Sequence, residues 1–279
     1  MIVCSISTIP DRLESLTTIL NRLLNSIKHP DIIIITIANY YPRLNKFYSS
    51  DEMSKLLSFL STYPINSKIV YQDMDIGPVV KIKSALDYWI KLKDDTLLRG
   101  GTPMKGNRNE KEDVIIIVDD DSGLYEKSIE LLTESYINNG DAIYGIMGKI
   151  GKDIYVHGEF VKDGEYRSVD LLGGYRGVLY PIHLLLKKKE IMFNDWLDMF
   201  LKEHKKRKLI AMHDDDIFYY WAKYNNLERR VVKVPCDIPN FIYYNPIQNK
   251  NGIFDDKDCN ISLEIIEKVL KDNKLEYLI

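Results

Sequence analysis

Cysteine is scarce in this chain. The three present, Cys4, Cys236 and Cys259, lie far apart with no C-x-x-C spacing, which argues against a disulfide framework or a cysteine-held zinc. Reduced, mostly buried thiols in a reducing compartment are the expectation. Long apolar runs are missing as well: none approaches the roughly 20 residues that crossing a bilayer requires. The opening stretch MIVCSISTIPDR is interrupted by serines and stopped by Pro10 and Asp11, so neither a signal peptide nor a membrane anchor is expected, and the reading is a soluble, cytoplasmic protein. Neither sign of charge dominates. Thirty-eight lysines and arginines face 41 aspartates and glutamates, for a formal charge of -3. That excludes a broad electrostatic footprint for nucleic acid and means that any anionic ligand is handled locally.

What is present is core material. Of 279 residues, 45% are hydrophobic, enough for a large α/β unit. Nineteen tyrosines include the pairs Tyr40-Tyr41, Tyr219-Tyr220 and Tyr243-Tyr244, which suit stacking on sugars or bases but more often fill the edges of cores. The segment IVCSISTIP reads as a strand and DRLESLTTILNRLLNSI as an amphipathic helix, while DIIIITIAN is a β-branched run typical of a strand covered on both faces. This start argues for a parallel sheet with right-handed crossovers. SKIVYQDMD and VIIIVDDD continue the strands, and GPVVKIKSALDYWIKL reads as a helix opened by Gly77-Pro78. KDDTLLRGGTPMKGNRNEKED has the composition of a long exposed loop. DAIYGIMGKIG is predicted as one strand, VDLLGGYRGVLYP as a glycine-punctuated segment with strand-like ends, and NDWLDMFLKEHKKRK, HDDDIFYYWAKYNN and SLEIIEKVLKDN as helices around a strand RRVVKVP. No linker divides the chain, so a single domain is expected.

Ligands of open parallel sheets bind beyond the carboxyl ends of the strands, where helix N-termini point partial positive charge. The polar residues gather at those ends: Ser7, Thr8, Pro10 and Arg12 after the first strand, Asp73, Asp75 and then Lys81 after the third, and Asp119, Asp120 and Asp121 after VIIIV. Three adjacent carboxylates need a partner, either a divalent ion or water. Strand alternation predicts Asp119 and Asp121 on one face and Asp120 on the other, a D-x-D pair that can share one ion. The competing explanation is an acidic turn capping the helix that begins near Glu126. A second cluster, His213, Asp214, Asp215 and Asp216, opens a helix; its acids either cap it or orient an acceptor hydroxyl.

The segments SISTIPDR, DMDIGPVVKIKSAL, IIIVDDDSGLY, DLLGGYRGVLYP and HDDDIFYYWA, in this order from Ser5 to Ala222, resemble the GT-A glycosyltransferases, especially the small soluble domains of bacteria and large DNA viruses. The resemblance implies an α/β, Rossmann-like GT-A fold with a mostly parallel central sheet flanked by helices. It implies a nucleotide-binding half at 1–125, a donor-sugar and acceptor half at 126–244, and a C-terminal extension with a helix at 245–279. The activity implied is metal-dependent transfer of a sugar from a nucleotide sugar, with UDP favoured, to a hydroxyl of a glycan or protein-linked acceptor. A virus-encoded enzyme acting in a host cytoplasm fits the same resemblance.

Carried over by position, Thr8, Ile9, Pro10 and Arg12 line the nucleotide pocket, Asp75 accepts a hydrogen bond from the base, and Lys81 lies near ribose or phosphates. Asp119 and Asp120 contact ribose and donor sugar, Gly173, Gly174 and Tyr175 border that sugar, and Asp215 or Asp216 faces the acceptor. Mn2+ or Mg2+ is held by Asp121 with Asp119. Relatives often take a further ligand from a C-terminal histidine, and here His213, Asp237 or water fills that place. Two rival readings use the same residues: a phosphohydrolase of the HAD type, whose D-x-D strand end normally lies on the first strand, and a catalytically silent nucleotide-sugar-binding module.

Overall fold

The computed structural model describes residues 1–42, 44–98, 112–121, 124–151, 154–158, 161, 166–186, 192–207, 214–234 and 256–278. The β-branched runs form the centre of the molecule. Strand β1 (Ile2–Ser7) lies between β2 (Ile32–Tyr40) and β4 (Val114–Asp119), with β3 (Ser67–Met74) beyond β2, all parallel. The sheet continues past β4 with β10 (Val178–Pro181), which is antiparallel to it and to β5 (Ile143–Gly145). β11 (Arg229–Val232) follows, parallel to β5, and then β8 (Tyr166–Ser168). The order is β3-β2-β1-β4-β10-β5-β11-β8. The fold is α/β, with a mostly parallel central sheet flanked by helices.

Alternation along the strands sorts the core into two layers. Val3, Ile32, Ile34, Ile115 and Ile117 face helix α3 (Val80–Leu98), and the same cluster takes in Ile182 of α5 (Ile182–Leu185), Trp196 of α6 (Phe193–Arg207), Trp221 of α7 (Asp214–Tyr224) and Ile266 of α8 (Asp256–Asp272). Cys4, Ile6, Ile33, Ile35, Ile116 and Val118 point the other way, against α1 (Leu13–Leu24), α2 (Ser50–Thr62) and α4 (Ser128–Asn139). Burial pushes the Cys4 thiol up to about 12, which keeps it protonated and inert. The side chains of Cys236 and Cys259 lie outside the described residues, as do Tyr243-Tyr244 and positions 99–111 of the loop predicted at 93–113; positions 93–98 of that loop continue helix α3 instead.

Two further boundaries differ from the sequence expectation. DAIYGIMGKIG is not one strand: β5 ends at Gly145, and β6 (Met147–Ile150) enters a separate three-stranded sheet with β7 (Ile154–His157) and β9 (Leu171–Leu172). Glycine permits this crossing, since a Cβ on Gly148 would stand 2.6 Å from the Leu171 carbonyl oxygen. Helix α3 starts at Val80, two residues after Pro78. Gly77 precedes it at φ 89°, in the left-handed region that only glycine enters without strain.

Candidate active site

Strand pairing fixes where the acid triplet points. Asp119 is the last residue of β4 and pairs with Ser7 of β1, so it faces the α3 side together with Ile115 and Ile117. Asp120 and Asp121 follow in a turn, where strand alternation no longer applies. The Arg12 guanidinium reaches Asp120 at 2.9 Å and Asp121 at 3.0 Å through the same nitrogen. Capping of the next helix does not explain the triplet. Helix α4 begins at Ser128 with Lys127 as its N-cap and no side-chain capping bond.

The counter-charge comes from two helix starts. Arg12 is the N-cap of α1, and Lys81 sits in the first turn of α3, which holds no acid. A cation at a helix N-terminus opposes the macrodipole and is locally unfavourable. Both are compensated from across the site, because Lys81, only 1% exposed, ion-pairs with Asp119. Two cations against three carboxylates leave one negative charge at the meeting point of two helix N-termini, a place that favours anions.

Asp120 is the deepest of the three at 3% exposed. It accepts a 2.7 Å hydrogen bond from the Thr8 hydroxyl as well as the Arg12 contact. Burial raises its pKa to about 6 against the opposing pull of Arg12, and the neighbouring Asp121 adds to the rise. The Asp119 and Asp121 side chains keep 30% and 22% of their surface. They are the more open hard-oxygen donors, and a carboxylate has more lone-pair sites than one ion pair uses. This donor set fits Mg2+ or Mn2+, ions that take one or two carboxylates and leave positions for phosphate oxygens. Among the described residues no three His, Cys, Asp or Glu side chains converge as a closed metal cage.

Beside the triplet, on the α3 side, lies an open hollow lined by Ser7, Thr36, Ala38, Gln72, Asp75 and Val80, among others. It exists because small side chains replace the bulky ones at the carboxyl end of two strands: Ser7 pairs with Thr36 across β1 and β2, and Ala38 follows two residues on. The Tyr41 hydroxyl holds the rim, donating to the Thr8 carbonyl at 2.9 Å and accepting from the Ala38 N–H at 2.7 Å. Asp75 is buried and accepts the Gly77 N–H at 2.9 Å, which fixes its carboxylate before α3 begins. Thr36 is 2% exposed and its hydroxyl has no partner among the described residues. Such a group costs about 1–3 kcal/mol unless something binds it.

The glycine segment supplies the facing wall. Gly174–Arg176 form a 3-10 turn packed on β4 and closed by Gly177 at φ 100°. The turn is tied to α7, since the Gly174 N–H donates to Asp215 at 3.1 Å. Arg176 brings a further buried cation into this wall.

Thr8, Arg12, Asp75, Lys81, Asp119, Asp120 and Asp121 thus gather around the carboxyl ends of β1, β3 and β4. Ile9 and Pro10 are buried in the loop beneath, Ile9 packing with Ala38 and Tyr41. Gly173, Gly174 and Tyr175 lie at or in the 3-10 turn, joined to Asp215, and Asp216 follows on α7. Asp73 is exposed on β3, away from the hollow. His213 and Asp237 lie outside the described residues, as does the side chain of Asp214. Sequence reasoning missed Thr36 and Gln72, and named Tyr41 only as one of a tyrosine pair. The signal for Thr36 was present, because Thr36 and Ala38 interrupt the isoleucine run of β2 two residues apart, on one face.

No protein-family model matches this chain, and no curated protein does. Among solved structures it is similar to the mannosyltransferase PcManGT from Pyrobaculum calidifontis in complex with GDP-Man and Mn2+, at 9% identity over 84% of this chain and 55% of that one, TM-score 0.48. It is similar to S. aureus TarS 1–349 in complex with UDP-GlcNAc at 14% identity over 66% and 46% of the two chains, TM-score 0.41. A third is the 2-C-methyl-D-erythritol 4-phosphate cytidylyltransferase of Francisella tularensis, at 13% identity over 79% and 85%, TM-score 0.36. The chain spans about half the length of the first two. Similarity of this extent assigns neither activity nor ligand.

Proposed function

We propose that the chain is a GT-A type, metal-dependent glycosyltransferase that moves a sugar from a nucleotide sugar, with UDP favoured, to a hydroxyl of a glycan or protein-linked acceptor. One observation carries the reading: three aspartates at the end of a central strand, met by cations from two helix N-termini, beside a hollow with an unpartnered buried hydroxyl. A site built only for stability has no need of this arrangement, since it sets a cation against the dipole at the N-terminus of each of two helices.

Asp121 and Asp119 would hold Mn2+ or Mg2+, which, when bound, neutralises charge on the departing diphosphate as a Lewis acid. Arg12 binds phosphate oxygens and the buried Lys81 lies near ribose or phosphates, each retained near the site by its carboxylate partner. Thr8, Ile9 and Pro10 form the loop against the base, Asp75 accepts from it, and Asp120 holds Thr8 and Arg12 in place while contacting the donor. Gly173, Gly174 and Tyr175 border the donor sugar. Asp215 and Asp216, at the start of α7, face the acceptor: one deprotonates the incoming hydroxyl or stabilises the cationic sugar, and the tie from Asp215 to Gly174 makes turn and acid move together.

A HAD-type phosphohydrolase finds no support in the topology, because the acid triplet ends the fourth strand of the chain, not the first. The test is release of nucleoside diphosphate from a panel of nucleotide sugars with Mn2+ and glycan acceptors. Transfer that is lost in Asp215→Ala or Asp216→Ala, with nucleotide binding spared, supports the proposal. Hydrolysis of generic phosphate esters with no turnover of any nucleotide sugar overturns it.

A further inference from the structure

Thr36 carries an unmet requirement in this site. Its hydroxyl is buried at the floor of the hollow and unpartnered among the described residues. Its position is built rather than incidental: the Thr36 carbonyl accepts the Thr8 N–H at 3.2 Å, which sets the loop at the end of β1, while strand alternation turns the Thr36 side chain towards the start of α3. The same hollow presents Asp75, whose carboxylate is an acceptor only and is fixed by Gly77. A hydroxyl, which donates, and a carboxylate, which accepts, lining one narrow hollow match a ligand edge carrying a carbonyl next to an N–H.

Resting on the proposed nucleotide-sugar reading, we propose that Thr36 is a base-binding residue that donates to a base carbonyl while Asp75 accepts the adjoining ring N–H, the two together setting specificity. The site therefore takes a base with an N–H beside a carbonyl, as in uracil or guanine, and rejects cytosine and adenine. Those two offer a ring nitrogen lone pair where Asp75 needs a donor, and a buried polar group left unpaired discriminates strongly. The hydroxyl alone would not discriminate, because it can donate or accept; the pair does.

The experiment is calorimetric titration of the full chain with UDP, GDP, CDP and ADP in Mn2+, for wild type, Thr36→Val and Thr36→Ser, with melting temperatures of the ligand-free proteins. The expected result is binding of UDP or GDP, whichever source the hollow suits, more than about a hundredfold tighter than CDP and ADP. Thr36→Val, equal in shape but without the hydroxyl, should bind that nucleotide about tenfold more weakly and melt no lower than wild type, because an unpaired buried hydroxyl has been removed. Thr36→Ser should recover the affinity. Equal affinity of wild type and Thr36→Val overturns the role of Thr36, and CDP binding as tightly as UDP and GDP overturns the reading by the pair; either leaves the nucleotide reading standing. If wild type binds none of the four, both fall.

Discussion

Lys81 and Asp119 form an ion pair across the gap between the first turn of α3 and the last residue of β4. The two are unequal: Lys81 is 1% exposed, whereas the Asp119 side chain keeps 30% of its surface. Removing the acid strands a buried ammonium, while removing the lysine leaves a carboxylate that water still reaches. Asp119→Asn should therefore cost about 2–3 kcal/mol, below the 3–5 kcal/mol of fully buried pairs, and Lys81→Met should cost less. The double variant should regain most of the loss, as read by chemical denaturation in all four proteins. Additive losses would show that the two charges do not depend on each other.

The hydrogen bond from Gly174 N–H to Asp215 separates geometry from charge. An asparagine oxygen accepts the same bond, so Asp215→Asn should keep the melting temperature of wild type, whereas Asp215→Ala leaves a part-buried N–H unpaired and should lower stability by about 1 kcal/mol. If Asp215 also acts as base, transfer is lost in both. Retained transfer in Asp215→Asn, with loss only in Asp216→Asn, would make Asp215 a positioning residue and Asp216 the base.

Asp120 gives the site a pH signature. Its carboxyl titrates at about 6 in the folded protein, against 3.8 for the ordinary group. Between those values the native state holds a proton that the unfolded chain has released, so this group's contribution to stability falls as pH rises from about 4 to about 6 and is level above. The shift corresponds to roughly 3 kcal/mol. Asp120→Asn never ionises. Its stability relative to wild type should therefore climb across that window and then hold, in melts taken with a chelator present. A difference independent of pH would contradict the burial of this carboxylate as an anion.

Much of the fold was legible in particular residues. Short β-branched isoleucine runs read as central strands, and the leucine spacing of α1 needs no tertiary information. The triplet, Arg12, Lys81 and Asp75 could be proposed as neighbours because parallel strands bring their carboxyl ends together whatever the intervening sequence. Other features were hidden for physical reasons. The break between β5 and β6 depends on how closely β9 approaches Gly148, a contact set by a segment some twenty residues away. Which acid ends the strand depends on where pairing with Ser7 stops, and a run of three identical acids carries no mark of that point. The floor of the hollow required knowing that Ser7 and Thr36 share a register, which neither strand states alone.

The central claim is that the aspartate triplet and its two cations form a nucleotide site completed by a divalent ion. Thermal denaturation of the wild type and Asp121→Ala against UDP, GDP and their sugar conjugates, with and without Mn2+, tests it most directly. Stabilisation by a uridine or guanosine diphosphate that is greater with Mn2+, and whose metal-dependent part vanishes in Asp121→Ala, is the expected result. If no uridine or guanosine nucleotide raises the melting temperature in the presence of metal, the claim is contradicted.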